Sequence, residues 1–210
     1  MRDKTEPKHA QKQDRGEVMK HASSRQVFEY WNEIRGQRLA PERGEIEPGP
    51  IRRVLGDTFI LEQDGFGAYH FRLAGTRICA LFCRELKGTD FLSLWPAAER
   101  HEMQTRLRTA VRETAGFVAG VTGRNGMKVS TDLELLILPL SHPARDQARL
   151  LGVLAPLAPP YWLGTLPVPD LASGSFRYVG PGSVAAPRLV PSAESAHLRR
   201  GLVIYDGGRS

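Results

Sequence analysis

Five short apolar runs constrain the fold of this chain more than any other feature of its sequence. The segment TFILEQDGFGAYHFRLAG, residues 58–75, alternates on both sides of Asp64-Gly65 and Gly67. This pattern is typical of two strands joined by a hairpin turn. Three more strand-like runs, GFVAGVTG, STDLELLILPL and ARLLGVLAPL, occur between residues 116 and 157. Their lengths and turn signals predict the strands of an antiparallel sheet.

Helical spacing marks the segments between these runs. Ser23 and Gln26 have the S-x-x-Q spacing of a capping box, and the apolar residues that follow predict a leading helix over 24–35. A short helix over 77–83 is predicted after Thr76. Residues 96–114 show the clearest helical periodicity in the chain, with Met103 and Leu107 on the apolar stripe and three arginines largely off it: Arg106, Arg108 and Arg112.

This order of elements predicts an α+β domain over residues 23–160. Its core is a five-stranded antiparallel sheet with helices packed on one face, preceded by the N-terminal helix. Residues 1–22 are polar and predict a disordered tail. Residues 161–210 are rich in Pro, Gly and Ser and predict a second tail. Within it, the apolar segment 202–205 has two interpretations, an anchor on the domain or a docking segment for a partner.

Composition and charge narrow the location and the class of partner. The polar N-terminus lacks a signal-peptide hydrophobic region, and no apolar run is long enough to span a membrane, so we expect a cytoplasmic protein with no membrane contact. The two closely spaced cysteines agree with a reducing compartment. The formal net charge is +6, but basic and acidic residues alternate along most of the chain. This interspersion argues against nucleic acid as the partner.

Cys79 and Cys83 stand four residues apart, a spacing that places two thiols on one helix face. A structural zinc site needs two further ligands at short spacing, and the sequence has none near them. We therefore predict no metal site, with Cys79 buried and Cys83 partly exposed. His101, the candidate haem ligand, is about 200° around the helix from Met103 and is expected to project away from the apolar stripe.

Catalytic patterns are missing from the sequence. It contains no Ser or Cys nucleophile with a His base, no paired carboxylates in an apolar setting and no glycine-rich phosphate loop. Asp132 and Glu134 alternate with apolar residues, which is typical of an exposed sheet face. These observations predict a protein that is not an enzyme.

Several short motifs occur in a recognisable order. They are Tyr30-Trp31, Arg72 to Thr76, Leu81-Phe82, Arg84 to Leu86, Lys87-Gly88 and Phe91 to Trp95. Together they resemble small stand-alone PAS-domain proteins of alphaproteobacteria, within the PAS superfamily, over about residues 24–160. The family usually has glycine where this chain has Cys83. A cysteine there implies either a strained left-handed residue or a longer helix.

The resemblance implies a PAS fold, a sensory or regulatory role in signal transduction and no known catalytic activity. A PAS cavity would be lined by inward residues of the sheet and helices: Phe59, Leu61, Phe71, Leu73, Ile78, Phe82, Phe91, Trp95, Val121, Leu133 and Leu135. These side chains either fill the space, as in a constitutive adaptor with no cofactor, or leave a pocket for haem or another small ligand.

The resemblance also implies where the protein makes contacts. PAS relatives often pair through apolar leading helices, so we expect the sheet face and the leading helix to contact a second copy, an unknown signalling protein, or both. The candidate contact residues are Val27, Phe28, Trp31 and Ile34. Such a helix buries its stripe either on its own domain or on a second chain.

Overall fold

The computed structural model describes residues 19–125, 129–141 and 148–181. The helices are α1 (Ala22–Arg35), α2 (Thr76–Phe82) and α3 (Ala97–Arg112), with short 3-10 turns at Arg43–Glu45, Leu55–Asp57 and Phe91–Leu94. The strands are β1 (Thr58–Gln63), β2 (Tyr69–Ala74), β3 (Gly116–Asn125), β4 (Val129–Leu140), β5 (Arg149–Pro156) and β6 (Asp170–Val179).

All strands belong to one antiparallel sheet in the order β2-β1-β5-β4-β3-β6. The predicted hairpin is β1 and β2, and the three later runs are β3, β4 and β5, so the α+β, PAS-like architecture is confirmed. The sheet has six strands rather than five. β6 pairs with β3 along its length and lies in a segment that the composition assigned to the C-terminal tail.

Two hydrophobic clusters lie on opposite faces of this sheet. The inner cluster packs α2, residues 91–95 and α3 against one face. The outer cluster packs α1 and residues 40–55 against the other face and includes Met19, which the sequence placed in a polar tail. The helices therefore cover both faces, because the apolar stripe of α1 needs a surface and the outer sides of β3, β4 and β5 supply it.

The start of α1 differs from the predicted capping box. His21 is the N-cap, and its Nδ1 accepts a hydrogen bond from the backbone N–H of Ser23 at 3.1 Å. The hydroxyl of Ser23 instead donates to Asp57 at 2.6 Å. The prediction was wrong because a buried carboxylate 34 residues away along the chain takes the serine hydroxyl.

The end of α2 matches one of the two expectations for Cys83. The helix ends at Phe82, and Cys83 adopts a left-handed conformation with φ 50° and ψ 32°. Its backbone N–H donates to Ala80 and the next amide donates to Cys79, which closes the last turn. A non-glycine residue in the left-handed region carries backbone strain. Cys83 therefore makes the turn that glycine would make, but at a steric cost that glycine would not have.

Candidate functional site

Ten of the eleven predicted cavity residues lie together in the inner cluster. Their aromatic rings contact one another: Phe59 lies 5.5 Å from Phe71 and 5.8 Å from Phe91, and Phe91 lies 6.1 Å from Trp95, between ring centroids. These are ordinary separations for packed aromatic pairs. The side chains predicted to line a cavity therefore fill much of the space between the sheet and its helices.

Leu73 is the exception, because it lies on the opposite face of the sheet. Ile60 pairs with Leu73 and Leu61 with Phe71, so β2 has one extra residue, Arg72, at this point. Such a bulge reverses the alternation beyond it. Leu73 consequently stands beside Ile60 on the outer face, 45% exposed, and its assignment to the cavity is corrected.

Two polar atoms in the inner cluster have no hydrogen-bond partner among the described residues. They are the hydroxyl of Tyr69 and the indole nitrogen of Trp95. Burial raises the pKa of Tyr69 to about 12, so its hydroxyl stays protonated and available as a donor. Buried donors are normally paired, so each of these two atoms is a candidate donor to a buried water or to a small acceptor molecule.

The leading helix does not offer the predicted contact residues to a partner. Val27, Phe28 and Trp31 are buried in the outer cluster of the protein's own domain, and Ile34 packs against it. Trp31 donates from its indole nitrogen to the carbonyl of Pro139 at 2.9 Å. Of the two alternatives for this helix, the structure shows burial on its own sheet. Self-association itself stays a prediction.

Glu134 does not lie on an exposed sheet face as the alternation suggested. Its side chain is buried, and its two oxygens accept hydrogen bonds from the backbone N–H groups of Lys20 and His21 at 2.6 and 2.9 Å. The segment that leads into α1 covers this carboxylate. Its role is to hold that segment on β4, because backbone amides satisfy both of its oxygens.

The cysteines and His101 lie where the sequence predicted. Cys79 is buried and Cys83 is exposed. Burial, with the nearby charge of Glu85, raises the pKa of the Cys79 thiol, which favours its protonated form. His101 is exposed on α3. Within residues 19–125, 129–141 and 148–181, no group of three or more His, Cys, Asp or Glu is placed to hold a metal ion.

An ion pair between the buried carboxylate of Asp57, just before β1, and the half-exposed guanidinium of Arg77 joins α1 to α2. Arg77 donates from Nε and Nη2 to the two carboxylate oxygens of Asp57, at 2.6 and 2.8 Å, and Ser23 donates to the same carboxylate. Burial alone would raise the pKa of Asp57, but these hydrogen bonds outweigh it and hold that pKa below its usual value. Sequence reasoning missed this contact because the three residues lie far apart along the chain.

Arg106 is a second polar residue that the periodicity misplaced. It was expected off the apolar stripe of α3, yet it is buried over the ring of Phe176, 4.4 Å from its centroid. Glu102, one turn earlier, accepts a hydrogen bond from it. The periodicity misplaced Arg106 because the sequence did not predict β6. This strand carries the Phe176 ring that attracts the guanidinium.

Two adjoining grooves lie where α1 leaves the sheet uncovered, at the β1 and β2 edge. The first, of about 560 Å³, has Ile60 and Leu73 as its apolar floor and residues 42–44 as one wall. The second, of about 410 Å³, runs past His70 to Lys87 and Gly88. Glu62 and Arg72 line both, so the grooves form one continuous surface, which we call the edge groove.

The edge groove has a surplus of one positive charge, because four cations line it against three carboxylates: Arg43, Arg72, Lys87 and Arg149 against Glu42, Glu62 and Asp64. Arg72 and Arg149 share the same oxygen of Glu62, at 3.5 and 2.9 Å. Asp64 accepts two hairpin amides and contacts His70. Among the described residues, no carboxylate pairs with the other two cations, Arg43 and Lys87.

An aromatic side chain stands at the end of the hairpin beside this groove. Phe66 is 98% exposed, and its neighbour Gly65 lines the groove. A large apolar residue so fully exposed contributes nothing to the fold, while its burial against a partner would be favourable.

The family of the chain follows from a comparison with family models. Residues 19–155 match the model described as PAS domain. This chain belongs to the PAS domain family, whose members are sensory and regulatory modules. One similar solved structure is the PAS domain of HTR-like protein from Haloarcula marismortui, which is 16% identical and has a TM-score of 0.36. The match covers 50% of this chain and 88% of that one. No curated protein matches the chain.

The helices in the described part of the chain are too short or too polar to cross a membrane.

Proposed function

We propose that this protein is a non-catalytic PAS regulatory module that acts in the cytoplasm by binding a second protein through its sheet. The edge groove is the observation that carries this proposal. It combines an apolar floor, surplus positive charge and an exposed aromatic residue on one surface that the protein's own helices leave open. Grouped features of this kind are typical of protein contact sites.

The packing of the inner face supports a role that does not depend on a tight cofactor. A Cβ on Gly152 would overlap the ring of Phe59, so β5 leaves room for that ring only because it has glycine there. Ring contacts then continue from Phe59 through Phe91 to Trp95. A core filled in this way favours an adaptor whose state is set by contact with other proteins.

A ligand sensor is the second candidate function, and the two unpaired donors favour it. Tyr69 and Trp95 each present a buried donor without an acceptor, and a small molecule that carries an acceptor group would satisfy such a donor. Haem fits these residues less well, because His101, the candidate ligand on α3, is exposed. The second candidate is therefore a small polar aromatic or carbonyl compound held in the inner cluster.

Native mass spectrometry of the full chain purified from its own host separates these candidates. The adaptor predicts a complex that contains this chain and a different polypeptide, with no added small-molecule mass. The sensor predicts a small mass that stays with the wild-type chain and is lost from the Tyr69→Phe variant. A chain that carries neither a polypeptide nor a small molecule would contradict both proposals.

A further inference from the structure

From the edge groove we infer the kind of partner that binds: an acidic protein segment with an apolar side chain between its carboxylates. This inference rests on the proposed function and deepens it. Its physical basis is the bulge in β2, which directs two consecutive side chains, Arg72 and Leu73, into the same groove. One of them offers charge and the other offers apolar surface.

The floor and walls of the groove are held in place before any partner arrives. Ile60 is largely buried in the outer cluster and belongs to the central part of β1. The wall formed by residues 42–44 is tied to the end of β4, where Glu42 bridges to Ser141 and the N–H of Ser141 donates to Pro41 at 2.9 Å. A site built on such fixed elements loses little conformational entropy on binding.

The charges select an anionic occupant. Arg72 is 63% exposed and lies at 3.5 Å from Glu62, whose nearer partner is Arg149. One carboxylate thus serves two guanidinium groups, and Arg43 has no carboxylate of its own in the described part of the chain. Guanidinium groups bind carboxylates through paired hydrogen bonds, so Asp or Glu in the partner would complete these contacts.

The same charges disfavour a second copy of this chain as the occupant. The formal net charge of the whole chain is +6, so the approach of another copy to a groove with surplus arginine is opposed. An acidic segment is attracted instead. The exposed Leu73 then contacts the apolar side chain of the partner, and Phe66, at the hairpin, offers a separate apolar contact.

Selection of dodecapeptides displayed on phage against the immobilised full chain tests this inference. We expect the enriched peptides to combine Asp or Glu with a neighbouring Leu, Ile or Phe. A fluorescein-labelled copy of the most enriched peptide should bind about tenfold or more weakly to Leu73→Asp and to Arg72→Glu, as expected for loss of an anchor or of a charge pair. Raising the salt concentration should weaken binding to the wild type.

Two control variants make comparable changes in charge and apolar surface at exposed positions away from the edge groove. Arg177→Glu reverses an exposed charge on β6, at the opposite edge of the sheet, and Tyr161→Asp removes an aromatic residue that is 96% exposed. Both should bind the peptide within about twofold of the wild type, because changes away from an interface have small effects. Circular dichroism should show that all four variants fold, since each replaced side chain is well exposed.

Several outcomes would overturn the inference. They are failure to enrich any peptide, enriched peptides without acidic residues, equal binding to Leu73→Asp, and competition by inorganic phosphate as effective as that of unlabelled peptide. Self-association that sedimentation detects in the wild type and not in Leu73→Asp would show a second copy as the occupant instead. If the host complex forms but is unaffected by Leu73→Asp, the choice of surface is wrong while the proposed function stands.

Discussion

Asp57 and Arg77 form a bidentate ion pair that joins the helices on opposite faces of the sheet. Arg77 belongs to α2, on the inner face, and Asp57 also accepts a hydrogen bond from Ser23, in the first turn of α1 on the outer face. A movement of α2 within the inner cluster would therefore change the contacts of α1.

Replacing Asp57 with Asn should destabilise the protein. The variant loses the charge that pairs with Arg77, and hydrogen bonds to charged groups contribute about 1.5–3 kcal/mol each. We expect the free energy of unfolding in urea to fall by about 2–4 kcal/mol. Ser23→Ala is the milder comparison and should cost about 1 kcal/mol. Equal stability of wild type and Asp57→Asn would show that the pair does not hold the helices.

The same carboxylate predicts a pH dependence of stability. Because its pKa is lower in the folded protein than in the unfolded chain, its contribution is present above the unfolded value, about 4. That contribution is lost as the pH falls from there through the folded pKa. Urea unfolding measured at falling pH, starting above the unfolded value of about 4 and continuing below it, should show a steeper loss of stability in the wild type than in Asp57→Asn. Parallel curves would contradict the assignment.

Gly152 should not tolerate a side chain. A Cβ there would overlap the ring of Phe59, and overpacking a filled core costs about 1–3 kcal/mol. Gly152→Ala should therefore lower the free energy of unfolding by that amount. Phe59→Leu combined with Gly152→Ala should lose less than the sum of the two single changes, because the smaller side chain leaves room for the methyl group. Gly49→Ala, where nothing lies within 4 Å of the added atom, is the matched control.

Tyr69→Phe distinguishes an empty inner cluster from one that holds a ligand. With no partner for the hydroxyl, its removal should leave the free energy of unfolding unchanged or raise it by up to about 1 kcal/mol, because an unpaired buried polar group is removed. A loss of about 1 kcal/mol or more would mean that the hydroxyl has a partner, and would favour the sensor over the adaptor.

Trp31→Ala should destabilise the folded protein. The side chain is fully buried under the sheet and its indole nitrogen donates to Pro139, so truncation should cost about 3–5 kcal/mol. Tyr161→Ala, at an almost fully exposed aromatic residue, should change stability by less than about 0.5 kcal/mol. Sedimentation of the wild type and both variants would show whether the loss of Trp31 weakens self-association. Little change in the stability of Trp31→Ala would contradict its burial on the sheet.

Alternation and helical periodicity predicted most of the architecture, because side-chain burial has a period of two in strands and 3.6 in helices. The bulge at Arg72 was not visible in this way, since one extra residue reverses the alternation without changing composition. As a result, Leu73 was placed in the core although it belongs to the edge groove. The groove therefore became apparent only when the register was known.

Strand β6 and the position of α1 show a second limit of predicting structure from local sequence patterns. The residues of β6 are surrounded by Pro, Gly and Ser, and the strand itself contains Gly174, so its composition indicated a tail. For α1, periodicity identified the buried stripe, including Trp31, without saying which surface covers it. Both outcomes depend on tertiary pairing between distant segments, which local pattern does not specify.

Hydrogen exchange of the full chain, with and without the protein captured from its own host, tests the central claim most directly. Residues 42–44 and 64–68 form the loop wall and the hairpin end of the edge groove. Their amides make hydrogen bonds at the surface, which open readily and allow exchange unless a partner covers them. We expect slower exchange in both segments when the partner is bound. Slower exchange confined to α2 and residues 91–95, or no change in any segment, would contradict it.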